Sequence, residues 1–167
     1  YEDGKVRVEA RGVELDWTPW MLLRERIGIT RLAVASLDWN SKTREPPTLP
    51  QTLRLPLALQ LGQGSVGVLR YRNPDNTVQV SKLAFGLRGD GVGYHLDAAT
   101  AETPWGRLSG TLQLGAQAPF ALRGQVALQG RQPPPLAVRA TLAGTLAEID
   151  VAAGATLGQI EASASAV

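Results

Sequence analysis

The chain has 167 residues, 44% of them hydrophobic but only 5% aromatic, and its 17 Lys+Arg against 15 Asp+Glu leave a net charge of +2. That is too apolar for a disordered chain, and the charges are scattered, which argues against a nucleic-acid groove. There is no cysteine, so disulfide and thiolate chemistry are excluded, and no apolar run approaches the roughly 20 residues a membrane-spanning helix needs.

Val6 and Val8, then Val13, Leu15 and Trp17, alternate with charged residues on either side of Gly12, which reads as strand, turn, strand. The period then changes. Thr18 is placed to cap a short α-helix, Pro19 suits its first turn and Gly28 its end, with Trp20, Leu23 and Ile27 at helical spacing. This predicts one short α-helix near residues 19–26. Residues 29–39 return to extended character, so 1–39 form a strand-helix-strand segment. Residues 40–52, NSKTREPPTLPQT, are polar and carry three prolines, and read as a loop.

A repetitive antiparallel sheet is expected over 53–167. The run Leu53, Leu55, Leu57, Leu59, Leu61 places leucine at every second position, giving a strand with one greasy face. Strands follow over 53–61, 64–72, 77–88, 92–101, 106–114, 119–129, 136–146 and 148–153. They are joined by turn signals such as Asn73-Pro74-Asp75-Asn76, Gly89-Asp90-Gly91 and Pro133-Pro134-Pro135. These short joins predict an antiparallel meander, with no segment set aside for a parallel crossover. LSGTLQL (108–114) and LRGQVAL (122–128) repeat in register. Their apolar faces hold Leu108, Leu112 and Leu114, then Phe120, Leu122, Val126 and Leu128. Val78 and Val80 are out of phase with Leu83, Phe85 and Leu87, which places a bulge near Ser81-Lys82. Bulges curl a sheet over its own face. The expected fold is therefore all-β, a curled antiparallel meander with an apolar inner face.

Catalytic chemistry has little to stand on. His95 is the single histidine, no nucleophile elbow accompanies Ser109, His95 and Asp97, and Asp97 with Glu102 read as solvated charges. GDGVG (89–93) lies between two strands and reads as a hairpin turn. No enzyme, metal or cofactor is expected. The candidate working surface is the apolar face: Leu53, Leu55, Leu57, Leu59, Leu61, Leu83, Phe85, Leu87, Leu108, Leu112, Leu114, Phe120, Leu122, Val126 and Leu128. Trp17, Trp20, Arg24 and Arg26 are candidate residues for a membrane interface, against the alternative that the tryptophans cover one end of the sheet.

The stretch VELDWTPWMLLRERIGITRLAVASLDW (13–39) resembles the N-terminal region of the TamB family, the inner-membrane subunit of the translocation and assembly module. LRLPLALQLGQGSVGVLRY (53–71) and TPWGRLSGTLQLGAQAPFALRGQVALQG (103–130) are similar to recurrent units there, and AsmA-like relatives share the texture. The resemblance implies a β-taco, a U-shaped sheet with an apolar groove. It also implies a periplasmic location within a protein anchored in a Gram-negative inner membrane, and a TamA-type outer-membrane barrel as partner through regions outside this chain. The implied roles are phospholipid movement between membranes and assembly of outer-membrane protein clients. Tyr1 in place of Met suggests a piece of a longer protein. Three readings remain open at this level: a lipid conduit for phospholipid acyl chains, a scaffold that pairs client strands at its edges, and a closed barrel or sandwich whose apolar face is only core.

Overall fold

The computed structural model describes residues 2–3, 6–41, 51–74, 76–131, 133, 136–157 and 160–166. Residues 42–50 of the Pro-rich loop, Asp75, and Pro134 and Pro135 of the proline run lie outside them. The strands are β1 (Glu2–Asp3), β2 (Val6–Thr18), β3 (Arg26–Ser41), β4 (Ala58–Arg72), β5 (Thr77–Gly89), β6 (Gly93–Thr103), β7 (Gly106–Gly115), β8 (Ala121–Gly130), β9 (Leu136–Thr145), β10 (Ile149–Leu157) and β11 (Ile160–Ala166). They form one eleven-stranded sheet in strict sequence order. The order is linear, so β1 and β11 remain edges and the curled sheet is not closed. At about 4.8 Å per step, its ten steps span about 48 Å across the strands.

The turn expected at Gly12 is absent, because β2 runs unbroken from Val6 to Thr18 through it, and three further expectations are corrected. First, β3 and β4 pair in parallel, Arg26 beside Ala58 and Asn40 beside Arg72, whereas the other neighbours are antiparallel. The connection between Ser41 and Ala58 is long enough to return to the start of β3, and parallel pairing requires such a return. Second, the leucine run does not form one strand. Leu53, Leu55 and Leu57 precede β4, which continues unbroken through the expected turn at residues 62–63. Pro56, which lacks a donor for a ladder, lies in the non-strand half. Third, residues Pro19–Arg24 form a 3-10 helix and not an α-helix. It ends at Glu25, in the left-handed region at φ 55°, and Thr18 makes no side-chain cap bond. Gly28 belongs instead to β3, where it is buried. A Cβ there would overlap Sδ of Met21, so the missing side chain is what seats the helix on the sheet.

The expected irregularity at Ser81-Lys82 is present. Lys82 has φ 50°, and the β5–β6 register shifts between Ser81 and Ala84. A left-handed residue inside a strand turns its two neighbours to opposite faces, which keeps Val78 and Val80 on the side of Leu83, Phe85 and Leu87. Lys82 does not act alone. In the ladders, Gly12 (φ 62°) falls opposite Ala35, Ala35 beside Gly67, and Gly67 opposite Lys82. The row is a crease crossing β2 to β5. From β2 to β4 it needs small residues, since a Cβ on Gly12 would lie 2.7 Å from that of Ala35 and one on Gly67 2.5 Å from the Ala35 carbonyl oxygen.

Candidate functional site

Curling leaves one apolar face on the inside, and the registers align its side chains from strand to strand. A single row of direct neighbours runs Trp17, Ile29, Leu61, Leu87, Leu96, Leu112, Gly124, Leu142, Val151, Ala166. A second row begins Val13, Val34, Val66, Leu83 and resumes beyond the bulges as Ala101, Leu108, Leu128, Val138, Ala155, Ala162. The outer face carries ion pairs: Arg11–Glu9 at 2.6 Å, Arg88–Asp97 at 2.7 Å, Arg131–Glu102 at 2.9 Å, Lys82–Glu102 at 3.2 Å and Arg70–Asp38 at 3.4 Å. The sheet therefore separates a hydrocarbon wall from a charged back.

The wall is partly accessible for most of its extent. Among the described residues, the buried apolar core is Leu61, Val66, Ala101, Ala116, Phe120 and Leu122. Of the expected groove residues, Leu61, Phe120 and Leu122 are buried, and Leu55 is exposed. Leu53, Leu57, Leu59, Leu83, Phe85, Leu87, Leu108, Leu112, Leu114, Val126 and Leu128 remain partly accessible. Val13, Leu15 and Trp17 are about half exposed on the same wall. The chain presents 11686 Å² of surface, where a compact monomer of 17.8 kDa would present roughly 8,000 Å².

One end of the wall is covered. The segment after the loop runs back along the strand ends as a strap. Thr52 bridges to Gln117, and the Leu53 N–H donates to the Ala116 carbonyl at 2.9 Å. The Tyr94 hydroxyl donates to the Leu53 carbonyl. The Ala58 N–H donates to the Glu25 carbonyl at 3.3 Å, joining the start of β4, where the strap ends, to the C-cap of the 3-10 helix. Ala116, Phe120 and Leu122 are buried at this end. Sequence reasoning missed the strap because Leu53, Leu55 and Leu57 continue the alternation of Leu59 and Leu61 without a turn signal.

The polar candidates are not assembled for chemistry. Ser109 lies opposite Thr100, and His95 opposite Gln113. Asp97 is paired with Arg88, and Glu102 with Lys82 and Arg131. The Lys82 hydrogen bond and the charges of Lys82 and Arg131 hold the Glu102 carboxyl below its ordinary range. Among the described residues no group of His, Asp and Glu is disposed to hold a metal ion, and no helix is long and apolar enough to cross a membrane. Trp17, Trp20, Arg24 and Arg26, the expected interface residues, are all exposed and sit together where β2 passes into β3 through the 3-10 helix.

No protein-family model, curated protein or solved structure matches this chain.

Proposed function

We propose that the inner face is a trough that shields lipid acyl chains from water, in a segment of a protein that moves phospholipid between membranes. The observation that carries this reading is the unbroken apolar row from Trp17 to Ala166, most of it still accessible. Burying ten methylenes on such a wall supplies roughly 8 kcal/mol of gross driving force. Association costs about 4 kcal/mol or more, so a chain is held while a wall without polar anchors lets it slide. The resemblance to the TamB family supports the same role, with outer-membrane protein assembly beside it in the Gram-negative periplasm.

The test is binding of a fluorescent fatty acid to the intact chain. Leu112→Arg, at the centre of the row, lowers affinity at least about tenfold, because a guanidinium on an apolar wall loses hydration without gaining a partner. Gln113→Arg, the next residue on the outer face, leaves it unchanged. Equal affinities, with far-UV circular dichroism intact for both, would overturn the trough.

A second reading is favoured by the edges. The outer edge of β2 is broken by the Gly12 crease and flanked by Arg7, Glu9, Arg11, Glu14 and Asp16, features that discourage strand addition. β11 has neither lysine nor proline. A client strand adding at β11 would make this sheet a β-augmentation scaffold without lipid transport. Cross-linking probes on β11 that capture strand peptides, with no fatty-acid binding, would select it.

A further inference from the structure

We propose that the rim holding the 3-10 helix is a docking edge for an anionic lipid bilayer. The inference rests on the lipid reading for the purpose of docking, but is tested apart from it. Three segments distant in sequence meet on this rim: the helix, the strap and the turn between β5 and β6. The strap ends at Ala58, whose N–H donates to Glu25 at the helix C-cap, and Gly91 of the turn lies near the Leu55 carbonyl. The helix and the turn raise apolar side chains into water. Trp20 is 77% exposed, Leu23 81% and Val92 74%, the three highest values among the exposed large hydrophobic residues.

The exposure is built in. A 3-10 helix has three residues per turn, so Trp20 and Leu23 stand on one face. Met21, seated against Gly28, turns that face away from the sheet. In the turn, the Asp90 carboxylate accepts the N–H groups of Val92 and Gly93, each at 3.0 Å, which fixes the loop with Val92 outward.

The charge fits the same partner. Arg7, Arg11, Arg31, Arg70, Lys82, Arg88 and Arg131 are ion-paired along the back of the sheet. Arg24, Arg26 and Arg54, all exposed, flank the apolar tips and have no carboxylate partner among the described residues. Two carboxylates share this rim: Asp90, which accepts the N–H groups of its turn, and the exposed Glu25, whose backbone N–H and not its side chain caps the helix. Three arginines against two carboxylates leave a local net charge of +1. Tryptophan and leucine tips among unpaired arginines suit the boundary between anionic headgroups and acyl chains. Docked this way, the rim would bring the open wall to the membrane surface.

The experiment is co-sedimentation of the full chain with vesicles of phosphatidylcholine and phosphatidylglycerol in equal parts, and with phosphatidylcholine alone. The chain sediments with the anionic vesicles more strongly than with the neutral ones, and added salt weakens the difference. The W20S/L23S variant loses about tenfold in apparent affinity, as expected for two partly inserted side chains. The R24S/R26S/R54S variant loses the preference for anionic over neutral vesicles. Both variants keep fatty-acid binding, so a failed trough and a failed docking edge are distinguishable. Failure of the chain to sediment with anionic vesicles, or equal sedimentation of W20S/L23S and wild type, overturns the docking edge.

Discussion

The two ends of the apolar wall follow the same sequence rule and reach different outcomes. Leu122, beneath the strap with Phe120 and Ala116, is buried, whereas Val13, Leu15 and Trp17 on β2 keep about half their surface in water. Alternation decides which face is apolar and not whether that face becomes dry. The strap lies over the end that holds Ala116, Phe120 and Leu122, while Val66 and Ala101 are buried away from it. One end of the sheet is thus a conventional core, and beyond it, apart from Val66 and Ala101, the wall keeps part of its surface in water.

Stability measurements sharpen that contrast. Phe120→Ala removes a buried ring under the strap and lowers unfolding stability by about 3–5 kcal/mol, while Leu15→Ala on the open wall costs less than about 1 kcal/mol. Comparable losses in denaturant titrations would show that β2 is packed as tightly as the covered end. At the crease, Gly12→Val places a β-branched residue at φ 62° against Ala35, at an expected cost of about 2–4 kcal/mol. A much smaller loss would mean that the bend does not depend on glycine. Tyr94→Phe removes the hydroxyl that reaches the Leu53 carbonyl. It lowers stability by about 1 kcal/mol and speeds amide exchange at Leu53, leaving exchange on β9 unchanged.

The smallest effect is on pH dependence. Asp90 is held below the ordinary carboxylate range by the Gly93 and Val92 N–H groups, and Glu102 by Lys82 and then Arg131. A depressed folded value stabilises the protein above the unfolded value, near pH 4, and that contribution is lost as pH falls through the folded value. The melting temperature should therefore be flat above about pH 5 and fall below about pH 4. Asp90→Asn with Glu102→Gln should reduce the slope, and an unchanged slope would assign it to other carboxylates.

The part of the molecule legible in the sequence is where short turns separate strong alternation. β5 to β9 fall within a residue or two of expectation, and the Ser81-Lys82 phase slip marks a real left-handed residue. The illegible part is where the pattern is silent or misleads. Leu53–Leu61 alternates as a strand would, yet only Leu59 and Leu61 join the sheet, since the chain must first return from the end of β3. IEASASA at 160–166 has too few large side chains to announce β11, which pairs through its backbone along β10. Pro19 and the spacing of Trp20 and Leu23 suit a 3-10 turn as well as an α-helix, and the Met21–Gly28 contact settles the outcome from outside the segment. As for the candidate site, the leucine faces were readable but their accessibility was not, because accessibility depends on where the strap lies.

The most direct measurement uses the absence of cysteine from the chain. Single cysteines at Leu128, on the wall, and at Gln129, on the back, carry a photo-reactive label and are irradiated in the presence of phospholipid. Lipid adducts at position 128 with none at 129 are the predicted result. Equal labelling at both positions, or no adduct at 128 in a chain that keeps its β-sheet spectrum, would contradict an open hydrocarbon wall.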